Sequence, residues 1–425
     1  MNRPQVVIVG GGFGGLAAAR KLDGKPVDVL LLDARNYHLF TPLLYQVATA
    51  LLNPSDIAYP LRMRFRRSPN VRFRQALVDS IDLDGRSVVL AGGEHVPYDY
   101  LVLASGSANN YFRNEKLASA TLGMKTLEGA LALRNHVLSS LELAANEPDE
   151  QERRRLLTFV VVGGGPTGVE YAGALAELLK VVLGRDYPTL RPEDARIVVV
   201  EGRNRLLEAL PARLSRYAEK ALSRMGVEVR TKVLLEKATP DDALLSDGDF
   251  ISTRTIVWAA GVRAQWPATE PEVAESRSRR VEVDEQLRVP GHPEVYAIGD
   301  AAAVHDGDVE LPMMSPHAMQ SARFAAQSIL DDARGGDRSR RFRYRDKGTM
   351  ATIGRHAAVG VIGRVRFVGG IGWIAWLLVH LYYLVGFRNR AAVFASWGWN
   401  YLRKDRPIRI IIRSERDRLS DRLPT

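Results

Sequence analysis

The chain of 425 residues contains no cysteine. That absence excludes a disulfide framework, a thiolate nucleophile, a Cys-ligated zinc site, an iron–sulfur cluster and a dithiol relay. In any redox role, electrons would leave a bound cofactor without passing through protein sulfur. Low-complexity tracts are also lacking, and no constellation of metal ligands stands out. Near the start, Val6 to Val9 offers only about four apolar residues before glycines begin, too few for a secretory h-region, so the protein is expected on the cytoplasmic side.

The composition is that of an ordinary globular protein, 46% hydrophobic and 25% charged, long enough for two or three domains. Lys and Arg number 59 against 49 Asp and Glu, so the net charge is +10. Such a surface attracts anions: nucleic acid, phosphorylated cofactors or membrane head groups. Gln5 to Val9 reads as a short buried strand, Gly10 to Gly15 as a loop, Leu16 to Leu22 as the start of a helix, and Val27 to Leu32 as a buried strand ending at Asp33. The pattern recurs at Leu157 to Val162, Gly163 to Gly168, a helix from Val169 to about Leu183, and a strand Ile197 to Val200 ending at Glu201. Two such units predict an α/β chain with two Rossmann-like dinucleotide-binding domains.

Further buried strands at Tyr100 to Leu103, Ile256 to Trp258 and Val295 to Ile298 end in Ala104-Ser105-Gly106, Ala259-Ala260-Gly261 and Gly299-Asp300. Small residues at such strand ends line ligand crevices in open sheets. The charged run Glu147 to Arg155 reads as a solvated helix. Boundaries are placed near 123 and 288, giving a discontinuous first domain of residues 1–123 and 288–345, a second of 124–287, and a C-terminal region of 346–425.

In Gly10-x-Gly12-x-x-Gly15 the first glycine permits a tight turn, the second lets backbone approach a pyrophosphate, and the third allows close packing of the helix. The loop, with Phe13 and Gly14 inside it, ends at a helix N-terminus whose unpaired N–H groups face the phosphates. Asp33 follows Gly15 by 18 residues, close to the ~20 at which an acid binds ribose hydroxyls. Gly163-x-Gly165-x-x-Gly168, which includes Thr167, has the same context, with Glu201 at 33 residues beyond Gly168 because of an insertion between Val181 and Ala195. A carboxylate at Glu201 favours a free 2′-hydroxyl and so NADH, while Arg203 and Arg205 keep NADPH open. Two sites suggest FAD on one fold and NADH on the other, Ala260 and Gly261 included, with hydride passing from nicotinamide to isoalloxazine.

Val368 to Phe387 is a 20-residue stretch without charge, and four of the six Trp (Trp373, Trp376, Trp397, Trp399) fall near it. The last 38 residues hold ten Lys/Arg against four Asp/Glu, which is +6 of the net +10. As one helix the apolar stretch would reach about 30 Å, enough to cross a bilayer. Crossing would put the basic tail on the far side from the NADH-binding body, against the positive-inside tendency. A C-terminal apolar or amphipathic helix lying in the membrane plane, with interfacial Trp and a basic flank, is therefore expected. Burial at a dimer interface is the competing reading, so a homodimer stays open. No nucleic acid is expected as partner, because the basic residues adjoin an apolar run instead of a soluble recognition fold.

Several segments resemble the type II NADH dehydrogenases, the single-chain, non-proton-pumping NADH:quinone oxidoreductases. They are Tyr37-His38-Leu39-Phe40-Thr41-Pro42-Leu43-Leu44-Tyr45-Gln46-Val47-Ala48-Thr49-Ala50, Gly163-Gly164-Gly165-Pro166-Thr167-Gly168-Val169-Glu170, Ala297-Ile298-Gly299-Asp300, Asp346-Lys347-Gly348-Thr349-Met350-Ala351-Thr352-Ile353-Gly354-Arg355 and Val385-Gly386-Phe387-Arg388-Asn389-Arg390. The resemblance runs to about Tyr401. It implies a two-dinucleotide-binding fold of the glutathione reductase kind, non-covalent FAD, oxidation of cytoplasmic NADH, and reduction of a membrane quinone (menaquinone or ubiquinone) at the cytoplasmic face of the cell membrane. Besides the first loop and Asp33, it implies FAD contacts at Ala34, Thr41, Pro42, Gln46, Val78, Ala104, Ser105, Gly106, Asp300, His317, Ala318 and Lys347.

The resemblance gives Glu170 a catalytic role in nicotinamide or quinone chemistry. Partly buried, it could have a raised pKa and relay protons, whereas the bland alternative is a carboxylate favourably placed at a helix N-terminus. The family's quinone signature, Ala-Gln-x-Ala-x-Gln, aligns with Ser315-Pro316-His317-Ala318-Met319-Gln320. Gln320 keeps an amide for a quinone carbonyl, while Pro316 has neither amide side chain nor N–H. Gln46 is the third residue expected on the quinone side. His317 is expected to assist proton delivery near neutral pH, against a purely structural alternative. Two rival functions remain: a soluble NAD(P)H flavin reductase donating to a ferredoxin or other small carrier, and a non-enzymatic dinucleotide-sensing flavoprotein.

Overall fold

The structure, a computed structural model, describes residues 3–336, 339–403, 406 and 408–412. Its contacts divide the chain into two units: Met1–Leu39, Ala58–Ala108 and Val262–Lys347 in the first, and Phe40–Ile57, Asn109–Gly261 and Gly348–Thr425 in the second.

The first unit is built on the strand Gln5–Val9, in which Val6, Val7 and Ile8 are fully buried. It pairs in parallel with Asp28–Asp33 on one side and Tyr100–Leu103 on the other. The sheet continues to Val71–Gln75 at one edge, and through His292–Ala297 to the antiparallel Arg288–Val289 at the other. Strands covered on both faces need continuous apolar runs, which is why these lack alternation. Because the connections from the central strand run to both of its sides, its C-terminal end is a switch point where an open sheet leaves a crevice. A four-stranded sheet of Ala268–Glu270, Val78–Asp82, Ser87–Leu90 and His95–Pro97 completes this unit's main framework.

The second unit repeats the plan in five parallel strands: Leu122–Gly123, Thr255–Trp258, Thr158–Val162, Arg196–Glu201 and Val227–Thr231 in spatial order. An antiparallel sheet of Thr349–Thr352, Ala358–Ile362 and Val365–Val368 leads into the helices Gly369–Tyr383 and Phe387–Arg403.

Both glycine-loop helices begin one turn before the sequence suggests, at Phe13 and Pro166. Glycine reads as a breaker, yet first-turn N–H groups need no intrahelical partner and Pro166 fits a helix start. The contact units also differ from the expected borders at 123 and 288: residues 109–123 belong with the second unit and 262–287 with the first. Residues 40–57 join the second unit because the helix Leu44–Ala48 packs on Leu127–Asn146 and Pro166–Val182.

The 20-residue apolar stretch is not one helix. Gly369–Tyr383 has 15 residues, the chain turns extended at Leu384, and Gly386 at φ 90° redirects it into Phe387–Arg403. Fifteen residues reach only about 22 Å against a hydrocarbon core of about 30 Å. Among the described residues, no helix is long and apolar enough to cross a membrane. The expected interfacial Trp set reduces in the same way. Trp376 and Trp397 are buried against each other, Trp373 is half-buried, and Trp399 alone of the four is exposed. Of the basic tail, residues 404, 405, 407 and 413–425 lie outside the described residues.

Candidate functional site

In the first unit, Gly10 takes φ 106°, and a Cβ there would strike the Ala104 carbonyl; a Cβ on Gly15 would strike the carbonyl of Gly10. Gly12 instead faces open space, and the helix Phe13–Leu22 that it caps receives no side-chain cap. First-turn N–H groups are therefore left to an anion, with the positive end of the helix behind them. The Gly11 N–H donates to Asp33 Oδ2 at 2.6 Å, and Asp33 Oδ1 accepts the Arg35 N–H at 2.7 Å. His38 closes the loop from behind, its Nδ1 donating to the Gly11 carbonyl at 3.1 Å and its ring meeting Phe13 edge-on. Burial holds its pKa down at about 4, so the ring is neutral, and Nε2 is buried with no partner.

Beside Gly10, Ser105 Oγ is likewise buried without a partner, and Gly106 at φ 79° faces open space. Asp300 accepts from Ser107 Oγ at 2.5 Å, and the neighbouring Gly299 lies against Ala318. His317 is fully buried, neither ring nitrogen has a hydrogen-bond partner among the described residues, and Tyr344 meets it edge-on at 5.6 Å. Burial, with help from Arg280, lowers its pKa to about 4. The ring is neutral across the physiological range, so the proton-delivery role expected of it finds no support. Buried polar atoms without partners, next to an uncapped glycine loop, suit a large polar ligand such as FAD that supplies those partners.

Other expected residues of this unit are placed as follows. The Ala34 carbonyl accepts from Gln75, Val78 opens a strand, and Lys347 is exposed. Gln320 uses both ends of its amide on Arg345, Nε2 donating to the carbonyl at 3.0 Å and Oε1 accepting the N–H at 3.1 Å. Pro316 starts the helix Ser315–Asp332.

The second unit builds its loop in the same way. Gly163 takes φ 112° against the Ala259 carbonyl, Gly168 lies against the Gly163 carbonyl, and Gly165 faces open space before the uncapped helix Pro166–Val182. The Gly164 N–H donates to Glu201 Oε2 at 2.6 Å, and Glu201 Oε1 accepts the Arg203 N–H at 2.8 Å. Thr167 is exposed in the first helical turn, and Gly261, following Ala260, takes φ 130° facing open space. Arg203 pairs with the Glu208 carboxylate, and Arg205 donates to the Glu208 carbonyl at 2.9 Å. The two cations that left NADPH open are thus both engaged.

Along the helix Pro166–Val182, Glu170 and Glu177 lie two turns apart and hold the end of the strand Thr349–Thr352 and the loop that follows it. Glu170 Oε1 accepts the Thr352 N–H at 3.2 Å, and Glu177 Oε1 accepts the Arg355 N–H. Gly173 lies between them because a Cβ there would come within 2.7 Å of the Gly354 nitrogen. Burial pushes the pKa of Glu170 up to about 8. The Thr352 N–H and the Trp376 indole, the latter outside hydrogen-bonding geometry, pull weakly the other way.

Thr352 Oγ1 lies 3.0 Å from the Tyr45 hydroxyl, which accepts from Gln46 Nε2 at 2.9 Å; Gln46 Oε1 accepts from Trp397 Nε1 at 2.8 Å. Thr41 and Pro42 form the short helix that leads into Leu44–Ala48. At its far end Arg406, fully buried, donates to the Thr49 carbonyl at 2.8 Å and to Glu177 Oε2 at 2.9 Å, while Arg355 approaches the same carboxylate. A cation at the negative end of a helix is favourable, and the residue after Thr49, Ala50, takes a left-handed conformation at φ 56°. Tyr45, Gln46, Glu177, Thr352, Trp376 and Arg406 line a cavity of about 20 Å³, room for one water.

His38, Tyr45, Glu177, Arg355 and Arg406 were not picked out by sequence reasoning. His38, Tyr45 and Arg355 stand inside quoted motifs, but nothing local joins Arg406 to a carboxylate 229 residues away.

The sequence profile of the pyridine nucleotide-disulphide oxidoreductases matches residues 4–324. The chain is 38% identical over 422 residues, 95% of its length and 88% of the relative's, to the type II NADH:quinone oxidoreductase NdhA of Mycobacterium tuberculosis. It is also 38% identical over 414 residues, 94% and 89% of the two lengths, to the type II NADH:quinone oxidoreductase Ndh of the same organism. The fold is similar to that of NDH2 from Plasmodium falciparum in complex with NADH, with a TM-score of 0.85 at 20% identity over 97% of this chain and 100% of that one.

Two outcomes test the buried charges. Since the pKa of Glu170 is raised from 4.5 to about 8, the folded state holds the proton better than the unfolded chain and loses stability as pH rises across that window. The melting temperature of Glu170→Gln relative to wild type should climb between those pH values and level off above them; a flat difference would refute the assigned burial. Arg406→Met should cost about 1.5–3 kcal/mol in denaturant unfolding, because it removes the bonds of a buried guanidinium to the Thr49 carbonyl and the Glu177 carboxylate. A loss below about 1 kcal/mol, the worth of an exposed pair, would mean that this segment is not docked.

Proposed function

The chain belongs to the pyridine nucleotide-disulphide oxidoreductases and, within them, to the type II NADH:quinone oxidoreductases, and from that premise we propose how its own residues serve the reaction. The protein oxidises NADH and reduces a quinone with FAD as cofactor. The observation that carries the assignment of sites is the repeated arrangement of an uncapped glycine-loop helix and a strand-end carboxylate bonded to the loop. FAD belongs to the first unit, where Gly10, Gly12 and Gly15 shape the loop and Asp33 keeps lone pairs for ribose hydroxyls. The unpartnered Ser105 and His317 add polar contacts. NADH belongs to the second, with Gly163, Gly165 and Gly168 at its phosphates and Glu201 at its ribose. The flavin, when bound, supplies two-electron chemistry; the chain binds, orients and holds protons. As no cysteine exists, electrons reach the quinone without a thiol step.

Glu170, protonated at neutral pH, holds a proton that quinone reduction consumes, next to the hydroxyls of Thr352 and Tyr45. Gln46, which donates to the Tyr45 hydroxyl, holds that hydroxyl in place beside the acceptor. The acceptor is a bilayer quinone, and the protein meets it from the cytoplasmic face of the membrane. Supporting this, Ile371, Ile374, Leu378 and Tyr382 form an exposed stripe along one side of Gly369–Tyr383, and Phe387, Phe394 and Leu402 extend it. Such a surface suits an in-plane helix with its apolar side in lipid. It also speaks against a water-soluble carrier as acceptor. A second copy of the chain is the competing occupant of that stripe.

Anaerobic stopped-flow of the holoenzyme tests the reaction: NADH should bleach the flavin absorbance, and a menaquinone or ubiquinone analogue should restore it. Failure of every quinone to reoxidise the flavin would defeat the reading. Glu201→Ala should raise the KM for NADH about tenfold or more, as expected for a lost charge-assisted hydrogen bond, with flavin content unchanged. Equal loss of flavin would contradict the two-site assignment.

A further inference from the structure

We propose that the flavin-binding unit carries its own electrostatic contact for an anionic phospholipid surface, built from the arginine-rich segment around the helix Leu61–Phe65. Between Asp56 and Asp79 the chain has six arginines and no acid. Arg74 is neutralised by Glu94 at 2.5 Å. The other five, Arg62, Arg64, Arg66, Arg67 and Arg72, make no ion pair with any described residue, and all but Arg64 are exposed. This segment carries +6 and residues 388–425 another +6, so the rest of the chain sums to −2 against a total of +10. These two stretches are where the net positive charge concentrates. In the tail, Arg406 is buried on Glu177 and Arg409 is paired with Asp186 at 2.6 Å. The segment around Leu61–Phe65 offers the larger described set of uncommitted cations.

The platform is firmly seated. Leu61 is fully buried against the Gly11 loop, Phe65 and Phe73 are buried, and the guanidinium groups of Arg64 and Arg62 lie over those two rings at 5.3 and 5.4 Å. Buried rings leave no aromatic face for base stacking, which single-stranded nucleic acid would need. A five-residue helix is too short to read a duplex groove. Exposed Met63 places an apolar side chain among the cations, a mixture suited to head groups with acyl chains beneath them. The choice of a lipid surface rests on the quinone reading above, since a bilayer acceptor brings the protein to that surface at every turnover. Each arginine near such a surface strengthens binding by about fivefold at low salt.

The test is co-sedimentation of the full-length holoenzyme with vesicles of phosphatidylcholine, with and without phosphatidylglycerol. The variant R62Q/R64Q/R66Q/R67Q/R72Q should bind phosphatidylglycerol vesicles at least about tenfold more weakly, lose most of the salt dependence, and keep its affinity for neutral vesicles. The corresponding five-lysine variant should bind as wild type does. Unchanged binding of the glutamine variant to phosphatidylglycerol vesicles would overturn the proposal, as would a loss confined to oligonucleotide binding measured in parallel. Should the fivefold variant not fold, R66Q/R67Q and R62Q/R72Q each carry the same expectation at about tenfold or more. Turnover of NADH with a short-chain quinone in detergent, measured on the same samples, should not change. Its absence in wild type would sink the quinone reading, while the vesicle result still decides the lipid contact.

Discussion

Each glycine loop depends on one hydrogen bond, in which a carboxylate at the end of the second strand accepts the N–H of the residue after the first loop glycine. Asp33 takes it from Gly11 and Glu201 from Gly164, at 2.6 Å in both. Glycine loops lose more backbone freedom on folding than any other sequence, so something must hold them. A charge-assisted bond contributes about 1.5–3 kcal/mol, and the first and third glycines close around carbonyls that a Cβ would strike. The N–H groups from Gly12 and Gly165 onward are then left facing outward. A carboxylate suits this place because both of its oxygens accept: each of these acids bonds two backbone N–H groups and retains further lone pairs. An amide side chain in the same place has one acceptor atom.

The same chemistry is used differently along the helix Pro166–Val182. Glu170 and Glu177 occupy one face, seven residues apart; Glu170 accepts the N–H of Thr352, the last residue of Thr349–Thr352, and Glu177 that of Arg355 in the loop after it. Glu177 meets two guanidinium groups, those of Arg355 and Arg406. Glu170 meets none, only a backbone N–H and aromatic walls, and burial raises its pKa. Two identical side chains on one helix thus hold different things, one a pair of cations and the other a proton. Gly173 sets the distance at which both can reach the loop.

The sheets were legible because strands buried on both faces are written as unbroken apolar runs; Tyr100–Leu103 and Gln5–Val9 match to the residue. Helix starts were one turn late because Gly14, Gly15 and Gly168 look like breakers while serving as a first turn. The contact units depart from the expected borders where the chain changes unit through short segments such as 40–57, whose membership depends on tertiary packing of Leu44–Ala48. Of the site, loop glycines and strand-end acids followed from spacing. The partners of Gln320 and Arg406 did not, since such contacts join residues far apart in sequence, and the arginines of 61–75 were overshadowed by the tail.

The C-terminal helices have two faces with separate duties. Inward, Trp376 stacks on His380 at 3.8 Å and meets Tyr45 edge-on, while Trp397 bonds Gln46 and Arg406 holds Thr49. Outward, the stripe from Ile371 to Tyr382 is open. Removing this region therefore does more than detach a surface from lipid, because the same cut deletes the wall behind Tyr45 and Gln46. An inactive truncation would confound attachment with site structure. Changing the exposed Ile371, Ile374 and Leu378 alone separates the two, since none of them belongs to the buried face.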